Sequence, residues 1–219
     1  MKKYLTIIIL LVCYNSVKGQ LSISIPKFSD LEKEQIETQA KDHIADFTYY
    51  LSDLASSKTP KKRKSDLKKQ LLALFIDTAK IEVKSVAHPD MATPHPINDY
   101  LNTVAGYGNK YQYVAIKFER VTLDLDPKHL RPTTINGHQA YIGKFYFLQK
   151  FRVAKQGLYN GLLANELRAP IPMPEYKIYG DDTYKNGDII IVLLDTPPAD
   201  GPRYQVLLGN ITAGEIVAR

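Results

Sequence analysis

Ile36, Ala40, Ile44, Phe47, Leu51 and Leu54 recur at steps of four and three, and no other pattern in the chain is as regular. An α-helix brings such positions onto one face, so the stretch predicts a helix of several turns with one apolar stripe to bury. Ser29 and Glu32 just before it have capping-box spacing, in which each side chain satisfies an exposed amide of the first turn. The helix is expected to end near Ser56. A basic connector, Lys58 to Lys64, follows, and Ser65 can cap a second helix carrying Leu67, Leu71, Leu72 and Phe75. A short strand is expected at Ile81–Val86, with Ile81 and Val83 on one face. Next come a loop rich in His and Pro, Ala87 to Pro96, and a third helix marked by Ile97, Tyr100, Leu101 and Val104 and ended by Gly106 and Gly108.

The remainder reads as strands. Val114, Ile116 and Phe118 alternate with Ala115, Lys117 and Glu119, and the parity then shifts to Val121, Leu123 and Leu125. A shift of one residue inside a long strand is the signature of a β-bulge, which bends a sheet. Asn136-Gly137 predicts a tight hairpin, because both residues tolerate positive φ. In the strand after it, Gln139 to Val153, Tyr141, Phe145 and Phe147 share one parity and Tyr146 has the other. Gly157 to Pro174 reads as an insertion. Asn186-Gly187 predicts a second hairpin, between Tyr176–Lys185 and Asp188–Leu194. The last strand is Tyr204 to Val217, interrupted by Gly209 and Gly214.

Lys2 and Lys3, the apolar run Leu5 to Cys13 and the small residues Ser16 and Gly19 have the layout of a secretory signal peptide. The run is too short to span a bilayer, which takes about 20 residues. Cleavage is expected after Gly19, which places the mature protein in the periplasm or outside the cell. Lipid attachment at Cys13 is the second reading. Cys13 is the only cysteine, so the mature chain would hold no disulfide, cysteine nucleophile or thiolate metal site. Taking Lys2, Lys3 and Lys18 from 29 basic residues leaves 26 against 23 acidic, a net charge of +3. Nothing in that balance calls for a nucleic-acid partner. The organisation read from the sequence is a signal peptide at 1–19, a leader at 20–32 and one α+β domain at 33–219 with an insertion near 156–174.

The order helix, helix, short strand, third helix, then long antiparallel strands resembles the NTF2-like superfamily, with its SnoaL-like and ketosteroid isomerase-like members. The local likeness lies in "LLALFIDTAKIEV", residues 71–83, in "INDYL", residues 97–101, and in "YQVLLGNITAGEI", residues 204–216. The leader and the Gly19-Gln20 junction look like those of exported proteins of Bacteroidetes-type bacteria. The resemblance implies three N-terminal helices packed in a strongly curved antiparallel sheet, a cone whose open end is a pocket. Bulges like the one near Glu119–Val121 supply the curvature.

The resemblance also implies where chemistry would sit. An isomerase base falls at Val83, which cannot take a proton, and Glu82 beside it points to the opposite face of its strand. Tyr49 or Tyr50 matches the family's tyrosine donor, with Tyr50 favoured because it follows Phe47 by three residues; the plainer role is an amphipathic core tyrosine. Asp124 and Asp126 are candidate acid–base groups, although Pro127 beside them marks an exposed strand end. His88, Pro89, Asp90 and His95 hold two imidazoles and a carboxylate, yet their spacing fits no helical metal motif. The candidate catalytic residues are thus Tyr50, His88 and Asp124, and the candidate pocket residues are Tyr50, Val83, His88, Tyr113 and Tyr146. No metal and no cofactor is expected. Asp182 to Asp188 lacks two oxygen ligands of a calcium loop, and Gly106-x-Gly108 lacks the third glycine of a dinucleotide loop.

Three functions follow from these readings. The first is an exported non-catalytic module that binds a small apolar ligand or a protein partner, with a homodimer through the aromatic sheet as one form. The second is a SnoaL-like acid–base enzyme, a cyclase, isomerase or dehydratase, working in the cone. The third is a structural subunit of an envelope assembly. An ionisable group inside the cone separates the second from the others.

Overall fold

The structure is a computed structural model that describes residues 28–85, 88–155, 180–199 and 201–217. The signal peptide at 1–19, the leader up to residue 27 and the insertion near 156–174 lie outside the described residues.

Helix α1 spans Asp30–Ala55, and its six stripe residues are all buried. The capping box is formed: the Glu32 amide donates to Ser29 Oγ at 3.3 Å, and the Ser29 amide donates to Glu32 Oε2 at 2.8 Å. The helix therefore starts inside the stretch read as leader. Phe28, just ahead of it, is buried edge-on against Tyr141 and Tyr204. Helix α2 spans Lys61–Ala73 and starts after Pro60, so the basic run is its first turn and Ser65 lies within it. Lys64 Nζ donates to the Ala105 carbonyl at 2.8 Å. That carbonyl closes α3, Ile97–Ala105, where the helix end carries partial negative charge. Leu67 and Leu71 turn inward. A single turn, α4, covers Tyr107–Lys110. Among the described residues no helix is long and apolar enough to cross a membrane.

The strands are β1 Lys80–Ser85, β2 His88–Pro96, β3 Tyr111–Asp124, β4 Arg131–Ile135, β5 His138–Lys155, β6 Asp182–Leu193 and β7 Tyr204–Val217. They form one curved, unclosed sheet in the order β2-β1-β7-β6-β5-β3, with β4 also on β5. The sheet is mixed rather than antiparallel throughout, because β1 runs parallel to β7 through the pair Ile81↔Ile211. Parallel neighbours need a long connection, and here strands β2 to β6 and helices α3 and α4 lie between these two strands.

The bulge in β3 is present: its register against β5 shifts between Glu119 and Thr122, and Arg120 adopts φ 55°. Two more register shifts occur between β6 and β7, and the surplus residues fall at Gly209 and Gly214, so those glycines mark bulges in a continuous strand. Asn136 and Gly137, at φ 51° and 86°, make the tight turn between β4 and β5.

Two sequence expectations are corrected. The His/Pro stretch is not a loop but strand β2, paired with β1 from Lys80↔Pro96 to Ser85↔His88. It is an edge strand, and an edge is where a sheet tolerates residues that lack an amide proton. Asn186-Gly187 is not a turn; it lies within β6. Gly187 faces Phe145 across the ladder, and a Cβ there would stand 2.1 Å from that ring. The glycine serves a close approach instead of a reversal.

The helices cover the concave side of the sheet. Phe47 of α1 meets Phe75 and Phe118 edge-on, and Phe145, Phe147, Ile189 and Ile191 complete the core from the sheet. This is the cone that the resemblance implied.

Candidate functional site

Along β6, side chains alternate between the two faces. Ile191 and Ile189 point into the core, and the same parity continues through Gly187 to Lys185 and Thr183. A lysine is therefore carried onto the concave face. Lys185 is 6% exposed. Its Nζ donates to the Glu82 carbonyl at 2.8 Å, and it makes no ion pair among the described residues. Burial pulls its pKa down to about 8, against the opposing pull of the negative charges of Asp181 and Glu82.

Lys185 borders a cavity of about 430 Å³ at the end of the cone where β3 and β6 begin. Tyr100 of α3, Tyr107 of α4, Tyr111 of β3 and Phe151 of β5 supply much of its wall. The Tyr107 ring lies 6.0 Å from Tyr111 and 5.6 Å from Phe151. Burial raises the Tyr100 and Tyr107 hydroxyls, so both stay protonated donors across the neutral range. Asp181 also lines the cavity. Burial raises its carboxyl, while the Thr183 hydroxyl, donating at 3.2 Å, and the charges of Lys185 and Arg152 act in the opposite sense. The chemical content is thus an aromatic wall, a buried amine and a carboxyl whose acidity is weakened.

The five expected pocket residues do not come together. Val83 does line the cavity, and it supplies no proton acceptor. The Glu82 carboxylate is committed elsewhere, accepting the Ala213 amide at 3.0 Å across the β1–β7 seam. Tyr50 packs half-buried against the core beside Tyr49 and is not part of the wall. Tyr113 and Tyr146 are corrected to the outside, 43% and 46% exposed, because their neighbours Val114 and Phe147 take the inward parity. Tyr146 opens on an outer groove with Arg120 and Tyr184. His88 stands opposite Ser85 at the β1–β2 end, and its side chain lies outside the described residues. Asp124 sits at the far end of β3 and is engaged with His129 Nδ1 at 2.9 Å. Tyr50 and Asp124 therefore share no site. Lys185, Asp181, Tyr100 and Tyr107 were missing from the expected site. The parity of Ile189 and Ile191, extended back through Gly187, was the signal that would have found Lys185.

Helices seated in an open, bulged sheet, with a cavity at one mouth, define an α+β cone. Among solved structures the chain is similar to a proposed scytalone dehydratase from Novosphingobium aromaticivorans, at 12% identity over 84% of this chain and 88% of that one, with a TM-score of 0.41. It is also similar to the Kfla4162 protein from Kribbella flavida, at 15% identity over 83% and 94% of the two chains, with a TM-score of 0.42. An NTF2-like protein of unknown function from Pseudomonas aeruginosa, PA1314, gives 8% identity over 82% and 98%, with a TM-score of 0.41. No family model matches the chain. No curated protein matches it.

Proposed function

We propose that this protein binds a small, largely apolar ligand in the tyrosine-walled cavity and meets one oxygen-bearing group of that ligand with Lys185. The observation that carries the reading is the buried amine itself. A cation in an apolar interior is costly unless something shares its charge, and here one peptide carbonyl is its hydrogen-bond partner. A ligand oxygen would supply a second. The aromatic wall would take up the ligand's apolar body, as in most small-molecule sites.

The acid–base reading is favoured by a separate observation. A lysine lowered to about 8 and a carboxyl raised by burial share one cavity, the condition under which groups exchange protons near neutral pH. In that case Lys185 and Asp181, rather than Tyr50, His88 or Asp124, would do the chemistry.

Native mass spectrometry of the purified protein tests both readings. A co-purifying small molecule that is absent from the Lys185→Ala variant supports the site. A ligand that persists unchanged in that variant places binding elsewhere. Export is part of the same proposal, with cleavage after Gly19, and N-terminal sequencing of the mature protein decides it.

A further inference from the structure

We propose that Lys185 captures an aldehyde or ketone ligand covalently, as an imine formed in the tyrosine-walled cavity. The inference rests on the binding reading above and names the ligand's reactive group. Geometry supports it in three ways. The amine borders a cavity large enough for a ring-bearing molecule. It is held by one hydrogen bond to a peptide carbonyl and by no ion pair among the described residues, so its lone pair is not locked into an ammonium–carboxylate contact. Asp181, a carboxyl with weakened acidity, and Tyr100, Tyr107 and Tyr111 line the same cavity and are the groups available there to take up or supply a proton.

The step balances without an oxidant or a reductant. The unprotonated Nζ adds to the carbonyl carbon, forming the C–N bond while the carbonyl electron pair moves to oxygen and takes a proton. The resulting carbinolamine loses a proton from nitrogen, and its hydroxyl leaves as water with a proton from the cavity. The product is a protonated C=N bond and one water molecule, and loss of the remaining nitrogen proton leaves the imine. Burial assists the first step: a lysine at about 8 presents, at pH 7, a free-amine fraction on the order of a hundredfold above that of an ordinary lysine. The charged and titratable groups around the cavity are Asp181, Lys84 and the three tyrosines, with Glu82 behind the carbonyl that Nζ contacts. Lys84 differs from Lys185 in being only partly buried; its Nζ donates to the Gly214 carbonyl at 2.8 Å.

The test uses the whole mature protein, benzaldehyde as carbonyl probe and benzyl alcohol as its non-electrophilic counterpart. Cyanoborohydride reduces any imine to a stable secondary amine, and peptide mapping locates it. The expected result is labelling of Lys185 at least about tenfold faster than any exposed lysine, although exposure alone would favour the reverse order. Lys185→Met and Lys185→Arg should both lose the fast label while keeping the wild-type circular dichroism spectrum. Benzyl alcohol should perturb tyrosine fluorescence in the wild type, and at higher concentration in Lys185→Met, which keeps the aromatic wall but lacks the amine that meets the ligand's oxygen. Labelling spread evenly over surface lysines, with benzyl alcohol still bound, would overturn the imine and leave the binding reading standing. Failure of both probes to perturb the cavity would remove the binding reading as well.

Discussion

Strand β6 holds two regions that differ in their inward-facing residues and in what covers them. In its second half Ile189 and Ile191 point inward and are buried under the helices. In its first half the same parity presents Thr183 and Lys185, and the space beside Lys185 is a cavity. Gly187 divides the two, with the Phe145 ring lying over it. The backbone is one continuous ladder with β5 from Asp182 to Val192. The rest of the difference lies in what covers the strand. The apolar stripe of α1 helps to fill one half, whereas the ringed residues of α3 and α4 stand around the other without closing it. A site in this fold therefore needs no special loop. It needs a stretch of sheet that the helices leave uncovered, and a polar residue on the right parity.

Four measurements break or sharpen that contrast. Phe145→Ala removes a fully buried ring from the packed half and should cost about 3–5 kcal/mol, read as a fall in the urea midpoint. Gly187→Val drives a side chain into the Phe145 ring and should cost about 1–3 kcal/mol by the same measurement. A neutral outcome would show that the divide between the halves is not held by that contact. Lys185→Met should act in the opposite direction and stabilise the protein at pH 7 by on the order of 1–3 kcal/mol, because it replaces a buried cation with an apolar chain. The sign follows from linkage: the folded state holds fewer protons than the unfolded chain between about 8 and the usual lysine value of 10.5, so wild-type stability rises with pH through that window. The Met variant should lack the rise. The smallest effect belongs to His129→Ala, an exposed residue outside β6. Asp124 raises the imidazole pKa, so its contribution is complete below the ordinary histidine value and fades as pH rises through the folded value. Urea midpoints at pH 5 and pH 8 should differ from wild type only at pH 5, and only slightly, since both groups face solvent.

The scaffold was more legible in the sequence than the site, for a physical reason. Burial leaves a periodic mark, and every member of the α1 stripe is buried as its spacing predicts. The bulge after Glu119 and the turn at Asn136-Gly137 were also readable, since each depends on a few neighbouring residues. The misses arose where the environment of distant elements overrode a local signal. Pro94 and Pro96 argue against a strand until β2 is known to be an edge. Asn186-Gly187 argues for a turn until Phe145 is known to lie over the glycine. That second misreading hid the site: a lysine just before a turn belongs in solvent, and only with β6 continuous does Lys185 inherit the inward parity of Ile189. Tyr50 and Asp124 came from the resemblance, and neither is brought to the cavity.

The seam between β1 and β7 sets the order in which this molecule can be completed. Lys80 binds Asn210 and Lys84 binds Gly214, each across 130 positions of sequence. On a ribosome, β1 and the hairpin it forms with β2 have no neighbour among the described strands to join until β7 emerges. A nascent chain halted before Tyr204 would expose the sides of both β1 and β6, two ready templates for pairing with other copies. Among the described strands, β7 is thus the one whose arrival covers both of those edges.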